Sequence, residues 1–158
     1  MTPESAPAGT SAVTTDLRER LRAAGLRATK PRLAVLGWLR NNPHSTADQA
    51  ARAVRRELGS VSTQAVYDVL HACTESGLVR RIEPAGQPAL FETRTADNHH
   101  HLVCRGCGRT EDVDCVEGLA PCLDPSWTAG FEVDEAEVVF WGRCPACRSG
   151  ADREGISS

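Results

Sequence analysis

Two pairs of cysteines stand out by their spacing, Cys104-Arg105-Gly106-Cys107 and Cys144-Pro145-Ala146-Cys147, with 36 residues between Cys107 and Cys144. Two such knuckles offer four thiolates in a tetrahedron, the shell that structural zinc prefers, and a closed shell leaves no catalytic position. Gly106 and Gly108 let backbone N–H groups turn toward sulfur. The alternative is a pair of thioredoxin-like redox motifs. Neither knuckle is expected to open a helix in a β-α-β unit, which favours zinc.

Ahead of the first knuckle runs Asn98-His99-His100-His101. In a strand, His99 and His101 share a face and His100 points away. Neutral imidazoles two apart, joined by a carboxylate, make a site for iron, manganese, zinc or nickel. Glu92 and Asp112 are candidate oxygen donors, and His44 is a more remote candidate. The opposing reading is a polar surface triplet.

A third group carries different chemistry. Ser62, Thr63, Gln64 and Tyr67 present hydroxyl, amide and phenol groups opposite an apolar helical stripe, suited to base edges and phosphates. Arg27, Lys30 and Arg32 could meet phosphates near the start of an earlier helix. Three cysteines lie outside the knuckles. Cys73 continues a helix stripe and reads as core. Cys115 and Cys122 are either buried or a redox pair, and the acids around them raise a thiol's pKa and lower its reactivity.

The elements that would position these groups follow from caps and periodicity. Residues 1–14 are poor in apolar bulk and read as a disordered arm, as do residues 149–158. Four helices follow the arm. Thr15 or Asp16 caps the first, Thr29 the second with Pro31 in its first turn, and Ser45-Thr46-Ala47-Asp48 forms a capping box for the third. Ser62 caps the fourth, whose stripe is Ala65, Val66, Val69, Leu70 and Cys73. A hairpin comes next, with strands over 78–83 and 89–93 about a turn at Pro84-Ala85-Gly86-Gln87. Helices followed by a two-stranded ribbon make a winged helix-turn-helix, with the helix before the ribbon in the major groove. Residues 94–98 read as a hinge. Short strands are then expected at His101–Val103, Thr110–Val113, Phe131–Val133 and Glu137–Trp141.

Charge divides the chain at the same place. Asp16–Ile82 holds 12 Lys or Arg against 6 Asp or Glu, whereas Glu83–Gly150 holds 5 against 12. A basic half joined to an acidic half points to two modules with different partners, the basic one meeting nucleic acid. No apolar run reaches the length of a membrane span, and the N-terminus has neither a basic region nor an apolar core of a secretory signal. The expected location is the cytoplasm, without a membrane partner, where seven cysteines mean metal or redox chemistry before disulfides. The C-terminal half, at about 60 residues, is too small for a large core, so zinc would supply much of its folding free energy.

The segments GLRATKPRLAVL, STQAVYDVLHACTESGLVRR, FETRTADNHHHLVCRGCG and WGRCPAC, taken together and in this order, resemble the ferric uptake regulator family of metal-dependent repressors. The likeness spans roughly residues 16–148 and is nearest to a branch linked to catalase-peroxidase genes and peroxide response. It implies an α+β chain: a winged-helix DNA-binding domain at 15–93, a hinge at 94–98, and a small α/β domain at 99–148 that dimerises and carries the four-cysteine zinc site. It implies a homodimer that reads an A·T-rich inverted repeat in double-stranded DNA. Cys104, Cys107, Cys144 and Cys147 match the structural zinc; His44, Glu92, His99, His101 and Asp112 match the regulatory metal site. Iron(II) or manganese(II) is the expected regulatory metal, with zinc able to occupy the site in isolated protein. Peroxide-sensing members carry Asp where Asp112 stands, whereas many iron sensors have Glu.

Some residues depart from the family pattern. A further metal site common in the family would use positions that here are Asn98, Leu119 and Ala136, leaving His100 alone as a donor. Asp68 follows Tyr67 where many members carry Arg, which alters the expected operator preference. Cys115 and Cys122 are additional thiols that could form a disulfide switch. The expected function is a metal-dependent repressor responding to peroxide, governing a catalase-type gene and its own expression. The alternatives are an iron-, zinc- or nickel-sufficiency repressor and, from another class, a thiol redox enzyme.

Overall fold

The computed structural model describes residues 8–95, 99–114, 128–132 and 137–150. The chain divides into two units, Met1–Thr95 and Ala96–Ser158. The first begins with α1 (Ala8–Ala23). This helix starts well ahead of the expected cap at Thr15 or Asp16, so residues 8–14 are helical and not an unstructured arm. Val13 explains the difference: it packs against the core one turn before Leu17 and two before Leu21, extending a single i, i+4 stripe.

Helix α2 (Lys30–Asn41) starts at Thr29, whose hydroxyl accepts from the Arg32 amide, with Pro31 in the first turn. Strand β1 (Ser45–Thr46) leads directly into α3 (Ala47–Leu58). The capping box here is Thr46 with Gln49, one residue later than the expected Ser45 with Asp48. Ser45 is not free to cap. It pairs with Phe91 in the sheet, and its hydroxyl donates to the Asn42 carbonyl at 2.6 Å. Helix α4 (Thr63–Glu75) is capped by Ser62, as its sequence dictates.

Strands β2 (Arg80–Ile82) and β3 (Leu90–Glu92) are the cores of the expected hairpin. The Gln87 amide closes the turn on the Pro84 carbonyl at 3.0 Å, and Gly86 supplies the positive φ the turn needs. The sheet order is β1-β3-β2, all antiparallel. Beneath it α2, α3 and α4 pack around Val35, Leu39, Val54, Leu70 and Phe91. This is a helix-turn-helix with a wing, carried on a hydrocarbon core.

The second unit has strands β4 (His99–Cys104), β5 (Thr110–Asp114) and β6 (Val139–Gly142), then a short helix α5 (Pro145–Ser149). Their order is β5-β4-β6, with β4 antiparallel to β5 and parallel to β6. The strand expected at Phe131–Val133 is absent at Phe131 and Glu132, and Val133 lies outside the described residues. A turn with positive φ at Ala129 and Gly130 precedes Phe131, whose ring is left 78% exposed. Ser149, expected in a disordered tail, ends α5, and residues 151–158 lie outside the described residues. No described helix is long and apolar enough to cross a membrane.

Candidate metal centres and nucleic-acid interface

The zinc knuckles meet because of the sheet order. Cys104 ends β4, Cys144 follows β6, and those strands run parallel, so both chains emerge at one end. All four Sγ atoms lie within 4.8 Å of one another. Cys107 Sγ and Cys144 Sγ are 3.7 Å apart. Four thiolates about 2.3 Å from a tetrahedral zinc stand about 3.8 Å apart, so the cluster has the right dimensions. Gly106 makes the approach possible. A Cβ there would lie 2.8 Å from Cys147 Sγ.

Backbone amides prepare the sulfur for a cation. The Cys144 amide donates to Cys104 Sγ at 3.2 Å and the Gly106 amide at 3.4 Å. Donation from Cys144, then from Cys107, brings the Cys104 thiol down to about 6, against the opposing effect of burial. For Cys107, donation from the Arg109 amide also lowers the pKa, but hydrogen bonds with the Cys104 and Cys144 side chains and burial leave it raised. A deprotonated sulfur is the form that binds metal. The second knuckle opens a short helix, with Cys144 at the N-cap of α5, but no described strand follows that helix, so it is not part of a β-α-β unit. That helix spans five residues and follows a strand that runs parallel to β4, and the four-thiol cluster carries the assignment.

The donors expected for the regulatory metal fall into both units. In the first, His44 Nε2 lies 3.1 Å from Glu92 Oε2. Glu92 is fully buried at the end of β3, and His44 precedes β1, the strand that pairs with β3. His44 has φ of 57°, a left-handed backbone uncommon for a side chain of this size and a small store of strain that marks functional loops. In the second unit, His99 Nε2 and His101 Nε2 each stand 3.7 Å from Asp112 Oδ1. The strand alternation is as expected. His99 and His101 rings are 4.9 Å apart, whereas His100 lies edge-on to Phe140, with centroids 6.1 Å apart.

All three histidines are buried, which excludes a solvated surface triplet. Two imidazoles on one carboxylate form a donor set suited to a divalent transition metal. Sequence reasoning missed Glu137, whose Oε1 lies 3.7 Å from His101 Nδ1. At that distance the carboxylate faces the imidazole electrostatically without a hydrogen bond to it. Glu137 precedes β6, and its register opposite β4 was not readable from a distant stretch of sequence. Cys115 and Cys122 lie outside the described residues, as do Asn98, Leu119 and Ala136.

On α4 Thr63, Gln64, Tyr67, Asp68, His71 and Glu75 are exposed, while Val66, Val69, Leu70 and Cys73 are buried. The polar groups expected to meet DNA already hold partners. Ser62 uses its hydroxyl to cap the helix. Arg55 of α3 donates to the Thr63 hydroxyl and to the Val61 carbonyl, which fixes the turn between α3 and α4. The Tyr67 phenol donates to Asp48 at 2.9 Å, and that hydrogen bond, with lesser help from burial and the Asp48 charge, raises its pKa. The Gln64 amide donates to Asp68 at 2.8 Å. Near α2, Arg27 and Lys30 are exposed, but Arg32 is half-buried and donates to the Arg27 carbonyl at 2.9 Å.

A winged helix-turn-helix followed by a sheet that carries a four-thiol cluster and a buried imidazole–carboxylate set defines a metal-dependent DNA-binding transcriptional regulator. The chain belongs to the ferric uptake regulator family, whose profile matches residues 23–139. It is 55% identical over 132 residues to transcriptional regulator FurA of Mycobacterium tuberculosis, covering 84% of this chain and 90% of that one. It is 33% identical over 135 residues to the peroxide operon regulator of Bacillus subtilis, covering 82% and 89%. Among solved structures it is similar to the ferric uptake regulator of Pseudomonas aeruginosa with manganese. That match has a TM-score of 0.61 and 26% identity, covering 82% of this chain and 98% of that one. Members of the family are transcriptional regulators, so the thiol redox enzyme is set aside.

Proposed function

We propose that this regulator is a peroxide-responsive repressor of a catalase-type gene and of its own gene, acting as a homodimer on an A·T-rich inverted repeat. The observation that carries the reading is the shared carboxylate: Asp112 faces both His99 and His101 at 3.7 Å, inside the second unit. In the resemblance described above, Asp at this position accompanies peroxide sensing. The relative named as a peroxide operon regulator supports the same reading. His44 and Glu92 supply the remaining donors, from the unit that holds the helix-turn-helix. A divalent metal would be held by these donors, and its binding would favour the arrangement of the dimer that places two α4 helices on two half-sites. Operator binding must then tighten metal binding by the same factor.

Iron(II), if bound there, would initiate O–O cleavage of peroxide. His99 and His101 are the rings that would be oxidised: one peroxide oxygen adds to a ring carbon, the other leaves as water, and the modified ring is spoiled as a ligand. His99 and His101 are buried, which keeps bulk water away from both rings. Cys115 and Cys122 are the competing route, by a disulfide that thiol would reverse.

The test is retention of operator DNA by protein loaded with iron(II), manganese(II) or zinc, before and after low-dose peroxide, with mass spectrometry of the treated chains. Iron-loaded protein should lose DNA and gain one oxygen on His99 or His101, and manganese-loaded protein should resist. Loss of DNA with intact histidines and recovery on adding thiol would make Cys115 and Cys122 the switch. No change in residues or binding would make the protein a metal-sufficiency sensor.

A further inference from the structure

We propose that Asp68 is a positioning residue that sets which base Gln64 reads, making adenine the selected base at one position of each half-site. The proposal rests on α4 being the recognition helix. Gln64 and Asp68 are four residues apart on the exposed face of α4, one helical turn, and the Gln64 Nε2 donates to Asp68 Oδ1 at 2.8 Å. A carboxylate only accepts hydrogen bonds, so the amide group facing it must be the NH2. The rotation that would turn the Gln64 carbonyl toward Asp68 sets two acceptors against each other. Gln64 therefore presents its Oε1 and its remaining N–H outward.

That outward pattern, one acceptor beside one donor, complements adenine, whose N6–H donates and whose N7 accepts. It opposes guanine, whose N7 and O6 both accept. The Asp68 carboxylate, also acceptor-only, adds to the exclusion of guanine nearby. An arginine at position 68, as in many family members, would present five donors and no acceptor, which inverts the preference. Tyr67 does not compete for this role, since its hydroxyl is held by Asp48 on the neighbouring α3.

The experiment uses the full chain, metal-loaded, to select from a pool of random-sequence duplexes, followed by sequencing. Wild type is expected to favour adenine over guanine roughly tenfold at one position per half-site, the discrimination of a good bidentate pair. Asp68→Asn keeps size and hydrogen bonding but lets the amide pair flip, so the preference should fall to about twofold. Asp68→Glu keeps an acceptor-only group and should restore it. Gln64→Ala should flatten the same position, and the double variant Gln64→Ala with Asp68→Asn should flatten it no further. Thermal unfolding should be unchanged in all, because both side chains are exposed. An Asp68→Asn protein that selects the wild-type motif, or a Gln64→Ala protein that does, overturns the proposal while leaving the recognition helix in place. If wild type selects no motif at all with any metal, it is the repressor reading that fails.

Discussion

The two units fill their interiors with different materials. In the first, Leu21, Val35, Leu39, Val54, Val66 and Leu70 are all at most 1% exposed, and they form one continuous hydrocarbon cluster with their neighbours. In the second, the buried side chains among the described residues are His99, His100, His101, Val103 and Cys104. Four of those five are groups that metals bind. A domain below about 70 residues gains little from hydrophobic burial, and metal ligation is one of the few substitutes. The contrast separates two jobs. A core of leucine and valine keeps its shape whatever the metal supply, which suits a DNA-reading surface. An interior of imidazole and thiolate has a stability that depends on metal, which suits a sensor.

The contrast is broken most directly at the knuckles. Cys144→Ser removes both a ligand and the thiol beside Cys107, and structural zinc contributes on the order of 10 kcal/mol to folding of small domains. The variant should lose zinc, dimerisation and protection of β4–β6 from amide hydrogen exchange, while α2–α4 stay protected. A zinc-free variant that remains a folded dimer would erase the distinction between the units. Acid should reach the same end. The Cys104 pKa is depressed, so its contribution is complete above the ordinary thiol value of 9.0 and is lost as pH falls through about 6. Zinc uptake by metal-free protein, followed with a colorimetric indicator, should therefore weaken as pH falls through that value.

Leu39→Ala strikes the other side of the comparison. It opens a cavity in a fully buried site and should cost about 2–5 kcal/mol, seen as a lower midpoint for the first unit with zinc content unchanged. If zinc is lost together with the helices, the units are not independent. The smallest effect sharpens the picture locally. Thr46→Ala removes the cap of α3 and half of its reciprocal pairing with Gln49, for about 1 kcal/mol by denaturant titration. Ser45→Ala, the position the sequence favoured as the cap, should leave α3 fraying unchanged.

What could be read from the sequence follows local rules. Thr29 and Ser62 cap helices by short-range hydrogen bonds, so α2 and α4 were legible. The alternation of His99 and His101 against His100 needs only that a strand be there, and the cysteine spacing carries its own chemistry. What escaped depends on partners distant in the chain. Ser45 is taken out of the cap by pairing with Phe91, and α1 is extended because Val13 finds a surface made by later helices. Glu137 approaches His101 only through the pairing of β6 with β4. The partner of Gln64 could have been suspected, since Asp68 lies at i+4, but the partner of Tyr67, Asp48, sits on another helix.

The parallel pairing of β4 with β6 also has a consequence in time. Cys104 and Cys144 are 40 residues apart, and the strand that brings them together is made late. At ribosomal rates of about 5–20 residues per second, the first knuckle waits on the order of 2–8 s for the second. During that interval the helix-turn-helix, whose core is already complete in sequence by Phe91, can fold on the emerging chain. Biosynthesis thus delivers the DNA-reading half first and its governor last. A chain that stalls or is cut within that window keeps a reader without a regulator, and its half-made knuckle leaves the Cys104 and Cys107 thiols without their two partner thiols.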